Sequence, residues 1–128
     1  MRTFATLEPG TVLGEHAFTL SDDAVCDWTA LFPADAECLP TMPPAMMAAI
    51  IMRAFVTVLH DRPHGNIHAG QKFRVVRLPR LHDRLLTTLR CEGKEFRNGR
   101  RWVTFVSETN DQAGGLLFRG EMTTLWAQ

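Results

Sequence analysis

The segment MPPAMMAAIIMRAFVTVL, residues 42–59, is the feature that most limits how this chain can fold. It carries one charge, Arg53, and is apolar on every face of a helix, whereas a helix at a protein surface keeps one polar face. Pro43 and Pro44 precede the helical pattern, and proline is tolerated in a first turn because N–H groups there have no intrahelical partner. The pattern predicts a core helix over residues 45–59 that other elements cover on more than one side.

The segments on both sides of this helix have the patterns of strands and of one shorter helix. Residues 11–20 resemble a strand, and Ser21 followed by two aspartates predicts a helix that ends near Pro33. Residues 33–44 form a proline-punctuated loop. After the core helix, four segments separated by glycine, proline or asparagine have strand patterns, and we expect them to pair consecutively as an antiparallel meander: residues 66–78, 84–91, 100–109 and 115–126.

These elements predict an α+β fold in which a curved antiparallel sheet wraps around the long central helix. The chain of 128 residues is long enough for one hydrophobic core, so we expect residues 1–128 to form a single domain. A helix on the outer face of a flat sheet would leave one side in water, which its apolar composition disfavours. A second copy of the chain would cover what the sheet leaves open, and we therefore expect a dimer.

Charge and cysteine content exclude several classes of function. Lysine plus arginine number 14 and aspartate plus glutamate number 14, so the general attraction that drives binding to nucleic acids or anionic membranes is absent. No run approaches the roughly 20 apolar residues of a membrane helix, and no signal peptide is apparent, which predicts a cytoplasmic protein. The three cysteines have neither paired nor metal-binding spacing, so we expect reduced thiols, no metal site and no cofactor.

Several stretches, in order along nearly the whole chain, resemble one family. LEPGTVLGEHAFTLSDDAVCDWTALFPAD resembles its opening strand and helix, and MPPAMM resembles its turn into the central helix. IHAGQKFRVVRLPRLHDRL and GRRWVTFVSETNDQAGGLLFRGEMTTLWA resemble its later strands. The family is that of MaoC-like hydratases and dehydratases, which have the hotdog fold, and the resemblance is to the subgroup similar to the N-terminal half of double-hotdog dehydratases. The resemblance implies a single hotdog domain.

The resemblance also implies a protein that binds an acyl-CoA or an acyl-carrier thioester. Its reaction would add water to, or remove it from, a double bond conjugated to the thioester carbonyl, which needs an acid–base pair and backbone donors for the enolate oxygen. In the family the pair lies in a GDxNPxH motif. Here Asp35 stands on the motif's aspartate, Glu37 on its asparagine and Pro40 on its histidine. The N–H of Ala45 resembles the family's oxyanion donor.

Because the motif's histidine is replaced, further residues are candidates for the chemistry. His68 opens the first strand of the expected meander, which in a hotdog passes close to the start of the helix, so the catalytic candidates are Asp35, Glu37 and His68. The candidates for substrate binding are Ala45, Met42 and Met46 at the acyl group, and Arg77 and Arg80 at the phosphates of coenzyme A or phosphopantetheine.

The replacement at Pro40 leaves two further functions open. A non-catalytic hotdog subunit would shape the acyl tunnel of a heterodimer, while a partner chain supplies the aspartate and the histidine. A small acyl-CoA thioesterase would use Asp35 or Glu37 to activate water. Hydration of an enoyl thioester, assembly with a second hotdog chain and release of free thiol are the properties that separate these functions.

Overall fold

One antiparallel sheet, two α-helices and one 3-10 helix account for the regular structure of the computed structural model, which describes residues 1–128. In chain order the elements are β1 (Val12–Thr19), α1 (Asp22–Leu31), a 3-10 helix (Pro33–Cys38), α2 (Met46–Val58), β2 (Ile67–Val75), β3 (Arg84–Arg97), β4 (Arg100–Asn110) and β5 (Leu116–Trp126). The α+β class and the long central helix are confirmed. None of the helices has the length and apolar character needed to span a membrane.

The order of the strands in the sheet is β1-β3-β4-β5-β2, and here the prediction of a four-strand meander is wrong. Strands β3, β4 and β5 pair consecutively, but β2 pairs with β5 instead of β3. Residues 76–83 cross the end of the sheet between the two edges: Val76 donates to the Leu117 carbonyl of β5, and His82 donates to the Leu20 carbonyl beside β1. The proline in this segment marks a break, but a break alone does not distinguish a hairpin from a crossover.

Helix α1 begins and ends at the signals that the sequence contains. The Ser21 hydroxyl accepts a hydrogen bond from the Ala24 N–H at 3.1 Å, which satisfies a free donor of the first turn. Asp22 and Asp23 follow in that turn, where the helix dipole favours negative charge. The helix ends at Leu31, two residues before Pro33. Its position beside α2 creates the groove described below.

The inner face of the sheet packs against α2 through two apolar clusters. The first surrounds the N-terminal half of the helix and comprises Leu20, Val25, Met42, Met46, Met47, Ile50, Ile51, Leu85, Leu117 and Phe118. The second surrounds its C-terminal half and comprises Leu7, Phe55, Leu59, Leu89, Cys91, Val103, Phe105, Met122 and Trp126. The strand residues of the first cluster therefore lie beside the N-terminal half of α2, and those of the second cluster lie beside its C-terminal half.

One stripe of α2 stays uncovered by the rest of the chain, the side that a second copy is expected to cover. Ala45, Ala49, Arg53 and Val56 are exposed and lie three or four residues apart, so they share one face of the helix. Burial comes from the sheet on one side and α1 on the flank. The remaining apolar stripe is therefore available to another molecule.

Strand β2 is an edge strand, and α2 packs against β1 and β3 instead of against it. The register places Phe73 opposite Gly120 and Val75 opposite Phe118, so these two side chains lie on the inner face of the sheet. Phe73 is nevertheless 43% exposed and Val75 is 47% exposed. The inner face is thus uncovered along β2.

Candidate functional site

The start of α2 presents one backbone N–H group that has no partner in the chain. Pro43 and Pro44 carry no N–H, and the N–H groups of Met46 and Met47 donate to the carbonyls of these prolines at 3.1 and 3.2 Å. The N–H of Ala45 makes no hydrogen bond within the chain, and the residue is exposed. The positive end of the helix dipole adds to its strength as a donor. This amide can bind a carbonyl oxygen or a developing oxyanion.

The carboxylate of Asp35 is held in place by the side chain of Trp28. Trp28 Nε1 donates a hydrogen bond of 2.8 Å to Asp35 Oδ2, joining α1 to the 3-10 helix that follows it. The Trp28 ring also packs on Phe32, with the ring centroids 4.7 Å apart. Asp35 is thus a half-buried, oriented carboxylate. Nothing in the local sequence pattern indicated Trp28 as its partner, because their contact depends on the turn between the two helices.

An apolar groove of about 250 Å³ runs between α1 and α2. Its walls include Phe18, Trp28, Leu31, Met46, Ala49 and Ile50. Two charged residues, Asp27 on α1 and Arg53 on α2, also line it, and they form no ion pair with each other within 4.0 Å. Ala45 and Asp35 are not among the lining residues, but Met46, which follows Ala45 directly, and Trp28, which contacts Asp35, both line the groove.

His68 lies at the end of the sheet opposite to the start of α2, so the expectation that it passes close to the helix start is wrong for a single chain. It pairs in register with Thr124, beside Trp126 of the second apolar cluster, which surrounds the C-terminal half of α2. The reason is the direction of β2, whose last residues, not its first, lie near the helix start. The His68 Nε2 atom instead lies 3.0 Å from Gln71 Oε1. His68 and Asp35 therefore form no pair within one chain.

The structure places the other predicted side chains in three different environments. Glu37 is exposed and makes no side-chain hydrogen bond or ion pair. Met46 lines the groove, as expected of an acyl-binding residue. Met42 has 0% exposure and belongs to the core, so its side chain supports the helix start and does not reach the groove.

Arg77 and Arg80 lie on the crossover that passes beside the helix start. Arg80 forms an isolated β-bridge with Thr41, and its exposed guanidinium has no ion-pair partner. Arg77 pairs with Asp111, which is at the turn between β4 and β5. A hydrogen bond from the backbone of Gly115, together with other donors that include Arg77, holds the pKa of Asp111 below its usual value. Arg80 is therefore the freer of the two cations.

The chain has the hotdog fold, in which one curved antiparallel sheet packs around a central helix. The MaoC-like dehydratase from Rhodospirillum rubrum superposes with a TM-score of 0.80 at 19% identity, over 100% of this chain and 99% of that one. The unliganded (R)-hydratase PhaJ1 from Pseudomonas aeruginosa gives 0.79 at 22% identity, over 98% and 86%. The ChsH1–ChsH2 complex from Mycobacterium tuberculosis gives 0.72 at 8% identity, over 94% and 98%.

Neither a protein-family model nor a curated protein sequence matches the chain. At these levels of identity the structural likeness establishes the fold that the chain shares with MaoC-like dehydratases and (R)-hydratases. It does not carry over the catalytic residues, and the site of this chain differs from the family motif at Pro40. The function of this chain therefore depends on its own amide, carboxylate and groove.

Proposed function

We propose that this protein binds an acyl thioester at the start of α2. The observation that carries the proposal is the unpartnered N–H of Ala45, the one free amide at the helix start, one residue before Met46 of the apolar groove. The thioester carbonyl accepts a hydrogen bond from this N–H, and the acyl chain lies against the groove residues, including Met46 and Trp28. Burial of each methylene of the chain contributes about 0.8 kcal/mol at most.

The carrier of the acyl group extends past the crossover. Arg80 is next to the segment that leads into α2 and has no anionic partner, so it binds a phosphate of coenzyme A or of a phosphopantetheine arm. Arg77 contributes less, because its guanidinium already pairs with Asp111. Ala45 and Arg80 thus define the two ends of the thioester arm.

Asp35 is the acid–base group of the proposed site. Its carboxylate is oriented by Trp28, whose ring lines the groove, so it can exchange a proton with a bound acyl group. Addition of water to an enoyl thioester requires an acid–base pair, so a second proton-transferring group must act together with Asp35. Pro40 provides none, and His68 lies at the far end of the sheet. Asp35 therefore supports hydration or dehydration only together with a residue from another chain.

The missing second group favours a specific alternative, a hotdog subunit that shapes the acyl tunnel for a catalytic partner chain. The uncovered inner face of β2 offers a surface for such a partner, and the ChsH1–ChsH2 structure is a complex of two different chains with this fold. Under this alternative the partner supplies both an aspartate and a histidine. A thioesterase role has less support, since Glu37 is exposed and held by no other side chain.

Binding of the thioester carbonyl is tested by removing the Ala45 N–H, with the thermal stability of the variant measured alongside because proline disfavours a helical backbone at the residue before it. Ala45 has a φ of −66°, which proline adopts, so Ala45→Pro deletes the donor and breaks no internal hydrogen bond. Ala45→Ser is the matched control that keeps the N–H. Calorimetry compares butyryl-CoA with its thioether analogue S-butyl-CoA, which lacks the carbonyl. We expect the control to prefer the thioester by about fivefold to tenfold, and Ala45→Pro to lose this preference.

Equal preference in the two variants, with equal thermal stability, would remove Ala45 from the site. Catalysis is tested separately, by following hydration of crotonyl-CoA with wild-type protein and with Asp35→Asn. Turnover by the pure chain that disappears in Asp35→Asn identifies a lone hydratase. Thioester binding without turnover favours the partner-subunit alternative, and failure of both thioester and free coenzyme A to bind contradicts the proposed function.

A further inference from the structure

His68 and Gln71 form a polar pair on the uncovered part of the sheet. His68 pairs in register with Thr124, which is 2% exposed on the inner face, so the imidazole lies on the inner side of β2. Gln71 Nε2 donates to the Lys72 carbonyl at 3.2 Å, which leaves Gln71 Oε1 as the acceptor for His68 Nε2–H at 3.0 Å. The Nδ1 atom of His68 makes no hydrogen bond within the chain and is therefore free to exchange a proton.

Within one chain, the length of β2 separates this imidazole from the candidate site. At about 3.3 Å per residue, His68 and Val75 lie roughly 20 Å apart along the strand. Val75 pairs with Phe118, which belongs to the apolar cluster around the N-terminal half of α2. The last residues of β2 therefore lie on the side of the candidate site, and its first residues lie away from it.

Two features of the chain favour its own copy as the molecule that covers the edge of β2. Of the eleven large apolar side chains that the chain exposes, four lie on β2 or directly after it: Ile67, Phe73, Val75 and Val76. The chain also has equal numbers of basic and acidic residues, 14 of each, so two copies approach each other without net repulsion.

Pairing of two β2 strands brings the imidazole of one chain toward the site of the other. The free edge of β2 pairs antiparallel with the same edge of a second copy about a two-fold axis, because the N–H groups of each strand then meet carbonyls of the other. Gln71 is the middle residue of the strand. Pairing centred on it sets Lys72 opposite the partner's Gly70, which keeps the two lysines apart. The partner's His68 then lies one strand spacing, about 4.8 Å, from the last residues of β2.

We propose that the partner's His68 is the second acid–base group of the thioester site. This inference rests on the proposed function, because the thioester carbonyl must first bind at the Ala45 N–H. Each dimer then has two identical sites, and each site takes residues from both chains. Asp35, oriented by Trp28, comes from the chain that holds the acyl group, and the imidazole, oriented by Gln71, comes from the other chain.

The two groups together account for every proton in the addition of water. Asp35 takes a proton from water while the water oxygen bonds to the β-carbon of the enoyl thioester. The electron pair of the double bond moves onto the carbonyl oxygen as an enolate, which the Ala45 N–H stabilises. The protonated imidazole of the partner's His68 donates its Nδ1 proton to the α-carbon as the carbonyl re-forms. Transfer of the proton from Asp35 to the imidazole through solvent restores both groups.

The test is complementation between two inactive variants. Asp35→Asn and His68→Gln should each lower the hydration of crotonyl-CoA by at least about 100-fold. A mixed dimer of the two, isolated through a different affinity tag on each chain, contains one site in which both residues are wild type. We expect it to regain about half the turnover of the wild-type dimer. Residues that act from the same chain would instead leave both sites of the mixed dimer inactive.

Calorimetry with butyryl-CoA separates failure of this inference from failure of the proposed function. His64→Gln, which changes an exposed histidine of the loop before β2, is the matched control and should hydrate crotonyl-CoA as wild type does. Three results would overturn the role of His68 and leave thioester binding intact: a wild type that binds butyryl-CoA without hydrating crotonyl-CoA, wild-type turnover by His68→Gln, or a mixed dimer as inactive as its parents. Failure of the wild type to bind butyryl-CoA would remove the thioester site and this inference together.

Discussion

Asp111 connects three parts of the chain through one carboxylate. Its Oδ1 atom accepts from the N–H groups of Ala113 and Gly115, each at 2.9 Å, and Oδ2 accepts from Arg77 of the crossover. The hydrogen bond from Gly115 is the main cause of the lowered pKa of Asp111. Because the ionised carboxylate is the form that is bound, Asp111 stabilises the fold at pH values above the unfolded-state pKa of about 3.9. This contribution is lost as the pH falls through the lower folded-state pKa.

We predict that Asp111→Asn lowers the free energy of unfolding near neutral pH, and that its difference from wild type shrinks as the pH falls below about 3.9. Urea denaturation across this pH range measures the effect. Glu95→Gln removes an exposed carboxylate without hydrogen bonds or ion pairs and serves as the control. A difference between Asp111→Asn and wild type that stays constant with pH would show that the carboxylate's charge is not what stabilises the turn.

The residues of the candidate site were predictable only where one segment of sequence contains the signal. The two prolines and the run that follows them located the start of α2, where the resemblance to MaoC-like proteins singled out Ala45, and Ser21 with its aspartates located the start of α1. Trp28 was not predictable, since its bond to Asp35 depends on the turn at Pro33 and not on a periodic pattern. Sequence alone likewise misplaced His68, because its position depends on the direction in which β2 runs relative to α2.

At the scale of elements, the packing of the Ile51 side chain of α2 against β5 depends on the absence of a side chain at Gly120. A Cβ atom built on Gly120 would lie 2.9 Å from Ile51 Cδ1 and 2.8 Å from Ser107 Oγ, which is too close for carbon. Gly120 thus lets Ile51 reach the sheet, where it has 2% exposure. The bounds of α2 followed from the apolar run to within about one residue. The pairing of β2 did not, since the 76–83 crossover has the same breakers as a hairpin.

We predict that Ile51→Ala lowers the free energy of unfolding by about 2–5 kcal/mol, because it opens a cavity between α2 and the sheet. Val56→Ala, on the exposed stripe of the same helix, should change it by less than about 1 kcal/mol. Chemical denaturation of both variants provides the comparison. Similar losses in the two variants would mean that the stripe of Val56 is also covered in solution, as it would be in an oligomer of this chain.

At the scale of the whole molecule, the single chain leaves its sheet incomplete. Strand β2 has one neighbour, β5, so its other edge carries backbone N–H and C=O groups without partners in the sheet. Such an edge with exposed apolar side chains readily pairs with another strand. Phe73 and Val75 add an apolar surface on the inner face beside the edge. We infer that two chains associate through β2, so that their sheets become continuous and the exposed stripes of the two α2 helices are partly covered.

We predict that the wild-type chain is a dimer at micromolar concentration and that Phe73→Lys with Val75→Lys converts it to a monomer. The two lysines would bring like charges to the inner face at the pairing edge, where they repel their counterparts in the second copy. Light scattering after size exclusion measures the mass of each variant. Leu86→Lys, on β3 and 39% exposed, is the control and should stay dimeric. A wild-type monomer that becomes a mixed dimer with another hotdog chain would instead assign the β2 edge to a catalytic partner, and the crotonyl-CoA assay on that complex would then show whether the partner completes the site at Asp35.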